Sequence, residues 1–202
     1  MDRLRTFLNL ERGEEVPVLL LFSYRTLALT CYMITKAVRD GIFLHKFSAM
    51  ALPYVYIGIG LIIGFIVAVY IRLAAKVSQV WLISGSLFFF ALNILLLWWT
   101  VRLQWTPAPW VFYVWTSIFG IIITTQVWTV ANNVLDLRQA KRIFPLVSSG
   151  GILGGAVGGL IGARLVKSIG TDNLMLILVP ILLLLVSLVQ FLIRRYSLPS
   201  AA

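Results

Sequence analysis

The 202-residue chain is 60% hydrophobic and only 12% charged, with a mean hydropathy of +0.97, which excludes a soluble globule and places it among membrane proteins. Its formal net charge of +10 comes from dispersed lysines and arginines carried by no soluble domain, so it reads as membrane orientation plus a charged cavity and not as nucleic-acid binding. Cys31 is the only cysteine, which leaves no disulfide framework and no thiolate metal site, and neither a metal nor a cofactor is expected.

Met1 to Glu15 form a polar, mixed-charge tail, expected to be cytoplasmic. The apolar run behind it is too long for a signal peptide and lacks a small-residue cleavage pattern. Six apolar segments follow, at about 17–43, 53–71, 80–101, 109–134, 145–166 and 173–193, each long enough for the roughly 20 residues that cross a bilayer. The predicted fold is an all-α integral membrane bundle of six transmembrane helices over residues 16–195. Residues 196–202 read as a C-terminal tail or the start of a linker.

The first segment carries Arg25, Tyr32, Lys36 and Arg39, which at helical spacing lie within about 40° of the Arg25 direction. A basic stripe inside a membrane helix needs a partner, a water-filled cavity or an anionic ligand. Lys36, Arg39 and Asp40 lie near the outer end, where snorkelling to headgroups and simple pairing of Arg39 with Asp40 are alternatives to a cavity role. His45 beside Lys46 has no ligand partners nearby and reads as an exposed loop histidine.

Trp98, Trp99, Trp105 and Trp110 gather around the turn Gln104-Trp-Thr-Pro-Ala-Pro-Trp110, the pattern of an outer membrane interface. In the fourth segment Thr125, Thr129, Asn132 and Asp136 recur at spacings that align them on one helix face. Together with the basic stripe they suit a hydrated cavity for an anionic, hydrogen-bonding solute. Bonding back to their own helix, or to a neighbouring one, is an equal use for each of them.

Asp136-Leu-Arg-Gln-Ala-Lys-Arg142 reads as a charged cytoplasmic connection, with Asp136, Arg138, Lys141 and Arg142 as either topology signals or a gate that pairs in one state only. In the fifth segment Gly150, Gly151, Gly154, Gly155, Gly158, Gly159 and Gly162 form two ridges at intervals of four, which predicts close helix packing. Ser168-Ile-Gly-Thr-Asp-Asn173 is the expected turn into the sixth. Arg3, Arg5, Arg12, Arg72, Lys76, Arg138, Lys141, Arg142, Arg194 and Arg195 fall on one side of the membrane, so both termini are expected to be cytoplasmic.

Several words resemble the ATP/ADP translocases of plastids and obligate intracellular bacteria, a family related to the major facilitator superfamily. Arg39-Asp40 after Lys36 is similar to the basic-x-x-Lys-Asp element that ends the family's first helix. Phe47-Ser-Ala-Met-Ala-Leu-Pro53 resembles the approach to its second helix. Val127-Trp-Thr-Val-Ala-Asn-Asn133 and Gln139-Ala-Lys-Arg-Ile-Phe-Pro-Leu146 resemble its fourth and fifth segments, and these matches cover most of residues 30–155. Met50 and Tyr113 stand where the family carries glutamates.

The resemblance implies the N-terminal six-helix half of an alternating-access carrier in a bacterial inner membrane, exchanging or taking up a nucleotide such as ATP or ADP. A second six-helix half, from the same longer chain or a second copy, would complete it. Arg39 would take the role of the family's first-helix lysine, and Lys36 and Asp40 match neighbouring family positions. The expected binding set is Arg25, Tyr32, Lys36, Arg39, Asp40, Thr125, Thr129 and Asn132, of which Lys36, Arg39 and Asp40 come with the resemblance and the others enter from their helical positions. A rival of another class is a non-transporting membrane anchor or sensor coupled to a soluble regulatory region, its basic stripe bound to lipid headgroups. No enzymatic constellation is present, so catalysis is not expected.

Overall fold

A computed structural model describes residues 13–196. Arg3, Arg5 and Arg12 of the orientation argument, and the tail after Tyr196, lie outside the described residues. Six long helices account for nearly all of the rest: α1 Glu15–Lys46, α2 Leu52–Ala74, α3 Gln79–Arg102, α4 Ala108–Val134, α5 Leu137–Ile169 and α6 Thr171–Tyr196. A single 3-10 turn, Ala49–Ala51, leads into α2. All six helices are long and apolar enough to cross a membrane, the architecture of a multi-pass membrane protein.

The helices begin and end within a few residues of the apolar segments, with one exception. α5 starts eight residues before the predicted segment, so the charged stretch from Leu137 to Arg142 is helix and not connection. Asp136 accounts for this. Its side chain accepts from the amides of Arg138 and Gln139, while the Gln139 side chain accepts from the Asp136 amide, a reciprocal capping box that satisfies the helix start. Pro145 sits inside the helix without ending it. The α5–α6 turn is also tighter than predicted, because Gly170 alone separates the two helices at φ 79°, a left-handed conformation that glycine adopts without a Cβ clash.

α1 is the hub of the bundle, packing most extensively on α5 and also on α4 and α6, while α3 lies along α6. The α1–α5 interface is a backbone contact. A Cβ on Gly150 would meet the carbonyl oxygen of Phe22 at 2.9 Å, and one on Gly158 would meet that of Thr30 at 2.7 Å. Between them Gly154 faces the Thr26 carbonyl, and the Thr30 hydroxyl donates to the Gly154 carbonyl at 3.1 Å. With lipid as apolar as leucine, such close approach and its dispersion energy hold membrane helices together. α2 is the least enclosed helix and rests chiefly on α4.

A polar knot fastens α2 and α3 to α4. Gln126 is fully buried, and its Nε2 donates to Ser86 Oγ at 2.5 Å and to the Tyr70 hydroxyl at 3.3 Å. Interhelical hydrogen bonds in membranes contribute about 1 kcal/mol. Gln126→Leu is therefore expected to lower the unfolding free energy in detergent by about that much, and Thr125→Val, which removes only a bond to its own helix, by an unmeasurable amount; denaturant titration of the two variants checks this.

Candidate functional site

Arg25 lies on the side of α1 that meets α4 and α5. It fits there because position 151 of α5 is glycine: a Cβ on Gly151 would come within 2.9 Å of Arg25 Nε. The guanidinium sits 5.4 Å from the ring centre of Trp128 on α4, which in turn packs on Phe144 of α5 at 5.1 Å. Its Nε and Nη1 are buried and have no hydrogen-bond partner among the described residues. The Trp128 face offsets part of the desolvation, about 1 to 2 kcal/mol for such a contact. Two guanidinium donors directed at nothing are a strong demand for an acceptor, because a buried unpaired polar group costs its full desolvation.

Further along the same face, Tyr32 packs against Gly120 of α4, where no larger residue leaves room for its ring, and near Phe119 at 6.4 Å between centroids. Lys36 is exposed. Arg39 is only 5% exposed and is neutralised in place: its Nε and Nη2 donate to Asp40 Oδ1 at 2.9 and 2.8 Å. Its guanidinium also stacks 3.9 Å above the ring of Tyr113, whose hydroxyl shares a 3.0 Å hydrogen bond with Tyr56 of α2. Arg39 thus lies on the aromatic face of Tyr113 and takes its acid from the neighbouring position of α1.

The structure thus separates the four members of the stripe. Arg25 has nitrogens without acceptors, Tyr32 is half-buried packing, Lys36 is open, and Arg39 is paired. The α4 residues divide as well. Thr125 and Thr129 donate back to the carbonyls of Ile121 and Thr125 at 2.9 and 3.0 Å, and Asn132 is exposed. Its neighbour Asn133 is the one that bonds across helices, to Gln79 of α3.

Of the expected gate residues, Asp136 caps α5, and Arg138 and Lys141 are exposed. Arg142 donates to Glu14 at 2.5 Å, joining the starts of α1 and α5. Of the glycines, Gly150, Gly154 and Gly158 face α1 backbone, Gly151 seats Arg25, and Gly155 and Gly162 make ordinary contacts with Met33 and Ala37. Gly159 faces open space.

Trp128 and Gly151 are the residues around Arg25 that sequence reasoning did not place. Trp128 lies between Thr125 and Thr129 in the chain, yet its role depends on a guanidinium from another helix. Among the described residues no three of His, Cys, Asp and Glu come together as a metal-binding group. Compared with family models, with curated proteins and with solved structures, the chain gives no match.

Proposed function

We propose that this bundle carries an organic anion across the membrane, a nucleotide of the ATP/ADP class being the leading candidate, as the N-terminal half of an alternating-access carrier. What supports this reading is the half-buried Arg25 guanidinium, with two buried nitrogens that lack an acceptor where α1, α4 and α5 meet. A lone arginine at the bilayer centre costs from about 2.5 to more than 10 kcal/mol, depending on how it is estimated, and one within a membrane helix calls for an anion. A phosphate oxygen accepts from a guanidinium N–H in a charge-assisted hydrogen bond. Lys36 adds a second, open cation one face-length away, and Thr125 and Asn132 add polar groups on α4. A second six-helix block, in the same natural chain or from another copy, closes the cavity, with both termini on the cytoplasmic side of a bacterial inner membrane.

A second reading draws on Arg39. This cation is already paired with Asp40 and stacked on Tyr113, as befits a bundle that anchors a regulatory region and no longer moves a substrate.

Thermal unfolding of the purified protein against nucleotides, other phosphorylated metabolites and anionic lipids separates the two. The carrier reading expects a nucleotide at 100 times its Kd to add about 2.7 kcal/mol to wild-type stability. Arg25→Gln should lose that gain while its ligand-free melting temperature stays at or above that of wild type, since the unpaired charge is gone. A nucleotide response unchanged in Arg25→Gln removes Arg25 from the site, and a response to anionic lipid alone favours the anchor.

A further inference from the structure

At the end of the bundle where α1 finishes, the α3–α4 turn and the α5–α6 turn enclose a half-open cavity of about 750 Å³. Its wall extends beyond the basic stripe: Gly41 and His45 point about 160° away from Arg25 around the α1 axis, while Lys46, at the end of the helix, lies seven residues past Arg39 on the stripe's side. Lys46, Arg102 and Asp172 line it. Although they share one hollow, none of the three is ion-paired among the described residues. The cations are held by neutral dipoles instead: Lys46 Nζ donates to the Gln104 carbonyl at 3.3 Å and Arg102 Nη2 to Asn173 Oδ1 at 3.0 Å. Arg102 also lies 5.0 Å from the ring centre of Trp98.

The wall is built at some cost. Gln104 presents its carbonyl to Lys46 from φ 53°, a left-handed conformation that a residue with a Cβ adopts at about 1 to 2 kcal/mol. Strain of this kind persists where surrounding structure enforces it, and it concentrates at ligand sites. Trp98, Trp99, Trp105 and Trp110 surround the same turn, and tryptophan favours the headgroup level of a bilayer. The tryptophans put the cavity at headgroup level, with two exposed cations each held by one neutral acceptor, one carboxylate and no ion pair among the described residues.

We propose that this basin binds a phosphate ester bearing an amine, the phosphate taken by Lys46 and Arg102 and the ammonium by Asp172. A simple anion would leave Asp172 repelling it, whereas a zwitterion satisfies all three charges at once. An ethanolamine phospholipid and a free phosphorylated amine share this chemistry.

The test is thermal unfolding in a maltoside detergent, which carries no phosphate. Four ligands are compared: short-chain phosphatidylethanolamine, the matching phosphatidylglycerol, free phosphoethanolamine and inorganic phosphate. Wild-type protein is expected to respond to an amine-bearing ligand at lower concentration than to phosphatidylglycerol or inorganic phosphate. Lys46→Gln with Arg102→Gln should weaken that response about tenfold or more, the loss that follows from removing charge-assisted hydrogen bonds. Asp172→Asn should keep binding but erase the preference for ethanolamine over glycerol. A response to the lipid alone identifies a membrane headgroup, and one equal for free phosphoethanolamine identifies a soluble ligand. The proposal fails if neither amine-bearing ligand shifts the wild-type transition, or if the preference survives in Asp172→Asn.

Discussion

Gly154→Leu is expected to lower the unfolding free energy of the detergent-solubilised bundle by about 3 kcal/mol or more, while Gly159→Leu, about one turn further along α5, leaves it unchanged. The contrast isolates packing from every other property of the substitution. A Cβ at Gly154 would run into the Thr26 carbonyl of α1, with the carbonyl carbon at 3.0 Å and the Leu29 Cβ at 3.1 Å. Backbone cannot rotate aside as a side chain can, so the only relief is separation of α1 from α5. Separation breaks the Thr30 to Gly154 hydrogen bond and thins the dispersion contacts that Gly150 and Gly158 make above and below. At Gly159 nothing lies within 4 Å of the added Cβ, so a leucine there enters the surroundings that Ile152 and Leu160 already face. Denaturant titration of both variants in one detergent decides the matter, and equal stability of Gly154→Leu and wild type would mean that α1 and α5 are not in backbone contact. The same displacement moves Arg25, seated on Gly151 of the adjoining ridge, so the packing surface and the candidate site depend on each other.

What the chain reveals before folding follows from which interactions are local. The six spans and the glycine ridge were legible because hydropathy and a four-residue interval are properties of one helix at a time. The start of α5 was encoded too, in Asp136 followed by Gln139, but the surrounding charges pointed to an exposed connection, and there the capping box prevails. Arg39 with Asp40 could be read as a pair from adjacency alone, whereas Tyr113 beneath it could not, since nothing in the sequence sets the register of α1 against α4. The same reason hides Trp128 beside Arg25 and the Gln126 knot, whose partners Tyr70 and Ser86 come from two other helices. Thr125 and Thr129 show the opposite case: correctly aligned on one face, they satisfy their hydroxyls on their own helix.

Replacing Arg142 by methionine is expected to cost about 1.5 to 3 kcal/mol of stability, the range for a hydrogen bond between charged groups. Its partner, Glu14, is only 7% exposed although it immediately precedes α1, so little water reaches the pair to weaken it. The expected gate placed a carboxylate against this guanidinium, and Glu14 now fills that part while Asp136 is occupied in capping α5. The pair ties the beginnings of α1 and α5, two helices that also meet along the glycine interface. Exchanging the charges, with Glu14→Arg and Arg142→Glu together, should restore part of the loss, because the Coulomb attraction survives even where the hydrogen-bond geometry does not. Melting temperatures of the two single variants and of the exchange form a double-mutant cycle, and purely additive losses would show that the two residues act independently. If the proposed carrier, completed by its second half, opens at this end and parts the pair, Arg142→Met in the complete carrier loses stability and gains rate of anion uptake in vesicles together. A stability loss with unchanged uptake assigns the pair to holding the fold.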